Sequence, residues 1–196
     1  TRYGNYSNGA LTFGAQLYTY GGGWGKRSFK TLADGELVVM FGNAPCDTRM
    51  AGDGHGYDLL VAMEQKNVRV ISIDPRRSEI ATNRDVEWIP IRPATDMAFL
   101  LGVAYAMLEA DEAEGLIDWD FLNRCTVGFD AEHMPSDAKQ QTNFKDYVQG
   151  AYDNTPKTPE WASEICGASP EAIRNLARAM GKDHKVGFLV SAASAR

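Results

Sequence analysis

A chain of 196 residues is long enough for one α/β domain with a real hydrophobic core, and its 44% hydrophobic and 23% charged content falls in the ordinary globular range. A formal net charge of −6, a sequence pI near 5.1 and the lack of any basic tract exclude a general nucleic-acid surface, which needs a positive stripe against phosphate. No run approaches the roughly 18 apolar residues of a membrane span, and Cys46, Cys125 and Cys166 form neither a CxxC pair nor a disulfide scaffold, which leaves them expected as buried or half-buried thiols.

Residues 1–34 are rich in Gly, Tyr, Asn and Ser, and Gly21-Gly22-Gly23-Trp24-Gly25 does not sit quietly in a helix. This stretch reads as shaped loop around one short helix near 9–18. Glu36 to Phe41 is then a continuous apolar run, the mark of a strand buried on both faces. A helix is expected over 56–66 with Leu59, Leu60 and Met63 inward, followed by a second apolar strand over 68–73. Strand, crossover helix and strand within some 30 residues make a right-handed parallel βαβ unit.

Residues 86–91 read as a third strand, and Pro90 places it at an edge. Asp96 is expected to cap a helix running through Leu108, with Phe99, Leu100, Val103, Ala104 and Met107 as its apolar stripe. Residues 111–114 read as a solvated acidic surface beyond that helix. Asp118 can cap a short helix through Asn123, and 128–154 is expected to be an ordered excursion with little regular structure. Thr158-Pro159-Glu160 and Ser169-Pro170-Glu171 are two clean helix starts, with a capping hydroxyl, Pro at the first position and an acid in the first turn. A last strand over 185–190 stops the chain with nowhere to lead, as in a segment excised from something longer. Alternating strands and helices give a three-layer α/β/α fold on a mainly parallel, Rossmann-like sheet.

In such sheets ligands gather beyond the carboxyl ends of the strands. Three segments sit there: 42–48, 74–78 and 93–96. Gly42 permits close approach, Asn43 and Thr48 can hydrogen-bond, and the N–H groups beyond Pro45 can meet phosphate. Asp74 can accept two ribose hydroxyls, and Asp96 can accept from the N1–H and N2–H2 edge of guanine. The plain structural alternatives are an ordinary Asp74-Pro75 turn and an ordinary Thr95-Asp96 cap. Standard phosphate signatures are missing. Gly52 and Gly54 are followed by Tyr57 where a GxGxxG motif needs Gly, and Gly25-Lys26 is followed by Arg27 where a P-loop needs Ser or Thr. His55, His133 and His184 lack acids at metal-ligand spacing and read as surface or hydrogen-bonded structural residues.

Several of these segments together resemble the dimethyl sulfoxide reductase family of molybdenum enzymes. Tyr3-Gly4-Asn5-Tyr6-Ser7 resembles the family's serine-ligand segment, and Phe41-Gly42-Asn43-Ala44-Pro45-Cys46-Asp47-Thr48 its G-N-x-P-x-x-T loop. Ile73-Asp74-Pro75-Arg76 is similar to its I-D-P-R, Ile91 to Asp96 to its I-R-P-G-T-D, and Val127-Gly128-Phe129-Asp130 to its V-G-[YF]-D. The chain departs from the pattern at Ala94, where the family has Gly, and at Asn8, where it has Thr.

The resemblance implies a molybdenum-bis(molybdopterin guanine dinucleotide) cofactor, Ser7 as an alkoxide ligand to the metal and therefore the catalytic residue, and oxygen-atom transfer from a sulfoxide or N-oxide. The cofactor-binding residues it implies are Phe41, Gly42, Asn43, Pro45, Asp47, Thr48, Ile73, Asp74, Pro75, Arg76, Arg77, Ala94, Thr95 and Asp96. Residues 35–184 would form the dinucleotide-binding domain, with 1–34 and 185–196 belonging to a neighbouring one. A 4Fe-4S centre outside this chain, an iron–sulfur electron-transfer subunit, a membrane-anchor subunit and export by a twin-arginine leader follow from the same resemblance. The alternatives are a nucleotide-binding or scaffold module without redox chemistry, or the same family acting on trimethylamine N-oxide, biotin sulfoxide or selenate.

Overall fold

The computed structural model describes residues 29–48 and 54–190; the expected helix near 9–18 lies outside them. The five apolar residues Leu37–Phe41 form β1, and all five are buried, as a strand covered on both faces requires. β2, Arg69–Ile73, is buried from its second residue on. It pairs with β1 in parallel, in a register running from Leu37 opposite Arg69 to Phe41 opposite Ile73. Two helices follow β1, the single turn α1 at Pro45–Thr48 and α2 at His55–Lys66. The second ends at Asn67 in the left-handed region, where the N–H of Val68 returns to the Ala62 carbonyl and closes the helix.

A five-residue helix, α3 (Glu79–Asn83), follows β2. It was not legible in the sequence because it is barely longer than one turn. β3 covers only Glu87–Ile89 and lies at the edge of the parallel sheet, whose order is β3-β2-β1-β4 with β4 at Val186–Val190. The short edge strand before Pro90 is the expected outcome for a residue with no N–H to give a ladder. The described residues divide into two compact units, 29–88 with 187–190, and 89–186. In the first, Val38, Met40, Leu59, Ala62, Val70 and Ile80 form a continuous core, with Leu60 and Met63 partly buried against it.

The second unit is built on α4, Asp96–Glu114, which runs six residues past its expected end at Leu108 and buries Ala98, Phe99, Leu101, Gly102, Val103 and Ala106. Phe99 and Val103 of the expected stripe are buried, but the rest of the buried face lies elsewhere. Leu100 is exposed, and the inward face passes instead through Leu101 and the small residues Ala98, Gly102 and Ala106. The acidic 111–114 segment is the last turn of this helix rather than surface beyond it, and Asp111 accepts hydrogen bonds from Ile117 N at 2.7 Å and Trp119 Nε1 at 2.6 Å. Gly115, at φ 64°, ends the helix.

Asp118 caps α5, Trp119–Cys125, by accepting from Phe121 N, as expected. Within the 128–154 excursion, Asn143 caps a five-residue helix, α6 at Phe144–Val148. Thr158 and Ser169 cap α7, Pro159–Cys166, and α8, Pro170–Ala179, as read from the sequence. Both of these helices pack on α4. At the α4–α7 crossing a Cβ on Gly102 would stand 2.6 Å from that of Ala162. The helices touch there because one side chain is missing.

Candidate functional site

Parallel pairing of β1 and β2 brings the loops that follow them side by side. Gly42 has φ 53°, a conformation glycine adopts without penalty, and its N–H donates to Ile73 O at 3.0 Å. The chain turns there at once into α1. The N–H groups of Asp47 and Thr48 and the Thr48 hydroxyl all donate to Ala44 O. This corrects the expectation that the amides beyond Pro45 stand ready for phosphate, since a single tight turn directs these two inward. Phe41 and Pro45 are buried wall residues, and Asn43 is half-buried.

Asp47 joins the two loops. One carboxylate oxygen accepts from Arg76 Nη2 and the other from Glu79 N at 3.1 Å, so a residue after β1 holds the turn after β2. The Arg76 side chain is 67% exposed and that of Asp47 17%, so the carboxylate is largely covered and the guanidinium faces solvent. Asp74 Oδ1 accepts from Arg76 N at 2.7 Å and so makes the ordinary turn around the exposed Pro75. Its carbonyl receives Trp88 Nε1 at 2.9 Å. Asp74 Oδ2 has no hydrogen-bond partner among the described residues. The turn reading and the ligand reading of Asp74 are thus compatible, one on each oxygen. Arg77 differs from Arg76: its Nε donates to Ala81 O and its guanidinium lies over Trp88, fixed to α3 and the edge strand.

Ser78, at the end of this turn, is 1% exposed and its hydroxyl has no partner among the described residues, nor has that of Ser72 in β2. A buried hydroxyl without a hydrogen bond is costly. At the end of a strand-end loop, that of Ser78 is the kind of group a polar ligand satisfies. Sequence reasoning did not single it out, because an orphaned atom is a property of packing.

The third segment lies in the second unit. Ala94 has φ 63°, so the alanine that stands in the glycine position keeps the left-handed turn. Thr95 precedes α4, but its side chain does not cap the helix; its hydroxyl donates back to Arg92 O at 2.7 Å. Asp96 is the first helical residue rather than the cap. Both Thr95 and Asp96 are half-buried.

Elsewhere, no group of three or more His, Cys, Asp or Glu could hold a metal ion among the described residues, and Ser7 lies outside them. His133 Nδ1 is paired with Asp130 at 2.7 Å, a structural contact. Cys166 is buried and Cys46 half-buried, as expected, but Cys125 is exposed because α5 buries none of its residues. Burial pushes the Cys166 thiol above its ordinary range. A pocket of ≈ 290 Å³ in the second unit, walled by residues such as Met107, Phe121, Phe129 and Phe144, lacks the convergent polar groups that orient a ligand.

Comparison with known proteins gives three findings. Residues 1–115 match the family model described as molybdopterin oxidoreductase. The chain is 41% identical over 181 residues to dimethyl sulfoxide reductase DmsA of Haemophilus influenzae and 42% identical over 180 residues to that of Escherichia coli K12. In each case 91% of this chain and 22% of the relative are covered. It is 39% identical over 147 residues to the dimethyl sulfoxide/trimethylamine N-oxide reductase of Cereibacter sphaeroides, covering 73% of this chain and 16% of that one. Among solved structures, acetylene hydratase from Pelobacter acetylenicus superposes with a TM-score of 0.66 at 22% identity, over 95% of this chain and 23% of the other. The chain therefore spans about a fifth of the length of the curated relatives it matches.

Proposed function

We propose that this chain, which belongs to the molybdopterin oxidoreductase family, is the dinucleotide-binding part of a catalytic subunit that reduces dimethyl sulfoxide or a related S- or N-oxide. The identity of 41–42% to dimethyl sulfoxide reductases over nine-tenths of the chain supports this substrate class. In this reading residues 35–184 form the nucleotide domain, with 1–34 and 185–196 belonging to a neighbouring one. The cofactor is the bis(molybdopterin guanine dinucleotide) form, and when bound it supplies the oxygen-atom transfer chemistry.

The chain's own residues bind and orient. Gly42 lets backbone approach the ligand, Asp74 Oδ2 takes ribose hydroxyls, Arg76 faces the diphosphate, and Asp96 accepts from the guanine edge. Ser7 is the protein ligand to the metal. Electrons arrive through a 4Fe-4S centre and an iron–sulfur subunit outside this chain. A membrane-anchor subunit and a twin-arginine leader complete the proposed assembly. The single observation carrying the binding part is the Asp47 clasp, which fixes two adjacent strand-end loops while Asp74 keeps one carboxylate oxygen unengaged among the described residues. The orphaned Ser78 hydroxyl fits the same ligand.

Asp96→Ala in the full-length enzyme is the test. Loss of a charged acceptor at the guanine edge costs about 1.5–3 kcal/mol, so molybdenum and releasable guanine nucleotide per polypeptide should both fall. Undiminished content of both would refute the assignment of Asp96.

A further inference from the structure

The loop at 91–96 is held by a residue that the proposed function does not use. Helix α7 leaves its last four carbonyls without intrahelical partners, as every helix does. Here all four are satisfied. Ser163 O receives Gly167 N at 2.8 Å and Cys166 O receives Arg92 N at 2.7 Å. Glu164 O and Ile165 O both receive Arg92 Nη1, at 2.6 and 2.8 Å. One residue, 72 positions earlier in the chain, thus closes three of the four with its backbone and its guanidinium, and a cation is the favoured charge at that helix end. Gly167, in the left-handed region, leaves the Arg92 side chain lying across the helix terminus, with its Cγ, Nε and Cζ 3.7–3.8 Å from where a Cβ would be.

The other face of Arg92 looks toward α4. Its carbonyl accepts the Thr95 hydroxyl at 2.7 Å, and Ala94 between them is held at φ 63°. Helix α7 is in turn seated on α4 through the contact of Ala162 with Gly102. The beginning of α4 is therefore tied to the end of α7 by Arg92, while the bodies of the two helices are locked together one or two turns further on. This is a braced triangle, and Thr95 and Asp96 stand where the braced turn enters α4.

We infer that Arg92 is a positioning residue for guanine selectivity: by bracing the 93–95 turn against the carbonyl end of α7, it fixes the angle at which Asp96 meets the N1–H and N2–H2 edge of the base. The inference rests on the guanine reading of Asp96. Both carbonyls accept from the one nitrogen Nη1, which stands one atom further from the backbone than a lysine ammonium, so lysine is an incomplete substitute through its shorter reach.

The test is calorimetric titration of the full-length subunit, freed of its cofactor, with guanosine diphosphate and inosine diphosphate, which differ by the N2 amino group alone. Wild type should prefer guanosine diphosphate by about tenfold, the order of one charge-assisted hydrogen bond. In Arg92→Met that preference should shrink to within about twofold while inosine diphosphate affinity changes less, and Arg92→Lys should fall between. A merely structural role would weaken both nucleotides in parallel and leave their ratio intact. That result, with wild type still selective, overturns the role of Arg92 alone. A wild type that binds both equally, or neither, removes the guanine reading and this inference with it. If Arg92→Met does not fold by circular dichroism, Arg92→Lys decides, and full retention of the wild-type ratio there overturns the proposal.

Discussion

Single residues carry local conflicts that the sequence does not display. Ala94 occupies a left-handed backbone conformation that costs an L-residue about 1–2 kcal/mol, whereas glycine there brings about 0.5–1 kcal/mol of extra unfolded-state entropy. Ala94→Gly should therefore stabilise the second unit by roughly 0.5 kcal/mol, read as a small rise in thermal midpoint; a clear drop would mean the turn is not strained. Lys157 is nearly fully buried. It is satisfied by Asp153 Oδ2 and Thr155 O and lies over the rings of Tyr147 and Trp161. Its hydrogen bond holds the Asp153 carboxyl below its ordinary 3.8. His133 lowers Asp130 in the same way, and Arg174 lowers Glu160 below 4.5. A carboxylate whose folded pKa is depressed contributes stability that is complete above the unfolded value and is lost as pH falls through the folded one. The thermal midpoint should hold from pH 7 to about 5 and fall below about pH 4, with Asp153→Asn flattening part of that fall. An acid-insensitive midpoint in wild type would show these pairs to be idle.

Elements whose causes are local were legible. The capped starts of α7 and α8 rest on Thr158-Pro159 and Ser169-Pro170, and the apolar runs of β1 and β2 on a burial pattern written in consecutive residues. The misreadings have two causes. α1, α3 and α6 have four, five and five residues, too few for a periodicity to register. The buried face of α4 was read correctly at Phe99 and Val103 but missed a glycine and two alanines, which face its neighbours where the larger Leu100 does not. Close approach at Gly102 makes a direct prediction. Gly102→Ala adds helix propensity worth about 1 kcal/mol, but its methyl would meet the unyielding Cβ of Ala162 at 2.6 Å. Overpacking of this kind costs about 1–3 kcal/mol, so the variant should lose stability in urea denaturation. A gain would mean that α7 slides freely on α4.

For the molecule as a whole, the parallel α/β architecture and the three strand-end segments were visible from pattern, and the family from a series of short motifs. The contacts that shape the candidate site were not. Asp47 reaches Arg76 across 29 residues and Arg92 reaches α7 across more than 70, and no local signal in a sequence marks such partners. The orphaned hydroxyl of Ser78 is equally silent.

The central claim is that the segments 42–48 and 74–78, joined by the Asp47 clasp, serve one guanine nucleotide. Amide hydrogen exchange of the chain, measured with saturating guanosine diphosphate and again with adenosine diphosphate, tests it most directly. Both segments should slow together with the guanine nucleotide and less, or not at all, with the adenine one. Protection confined to one segment, or equal for the two nucleotides, would contradict the claim.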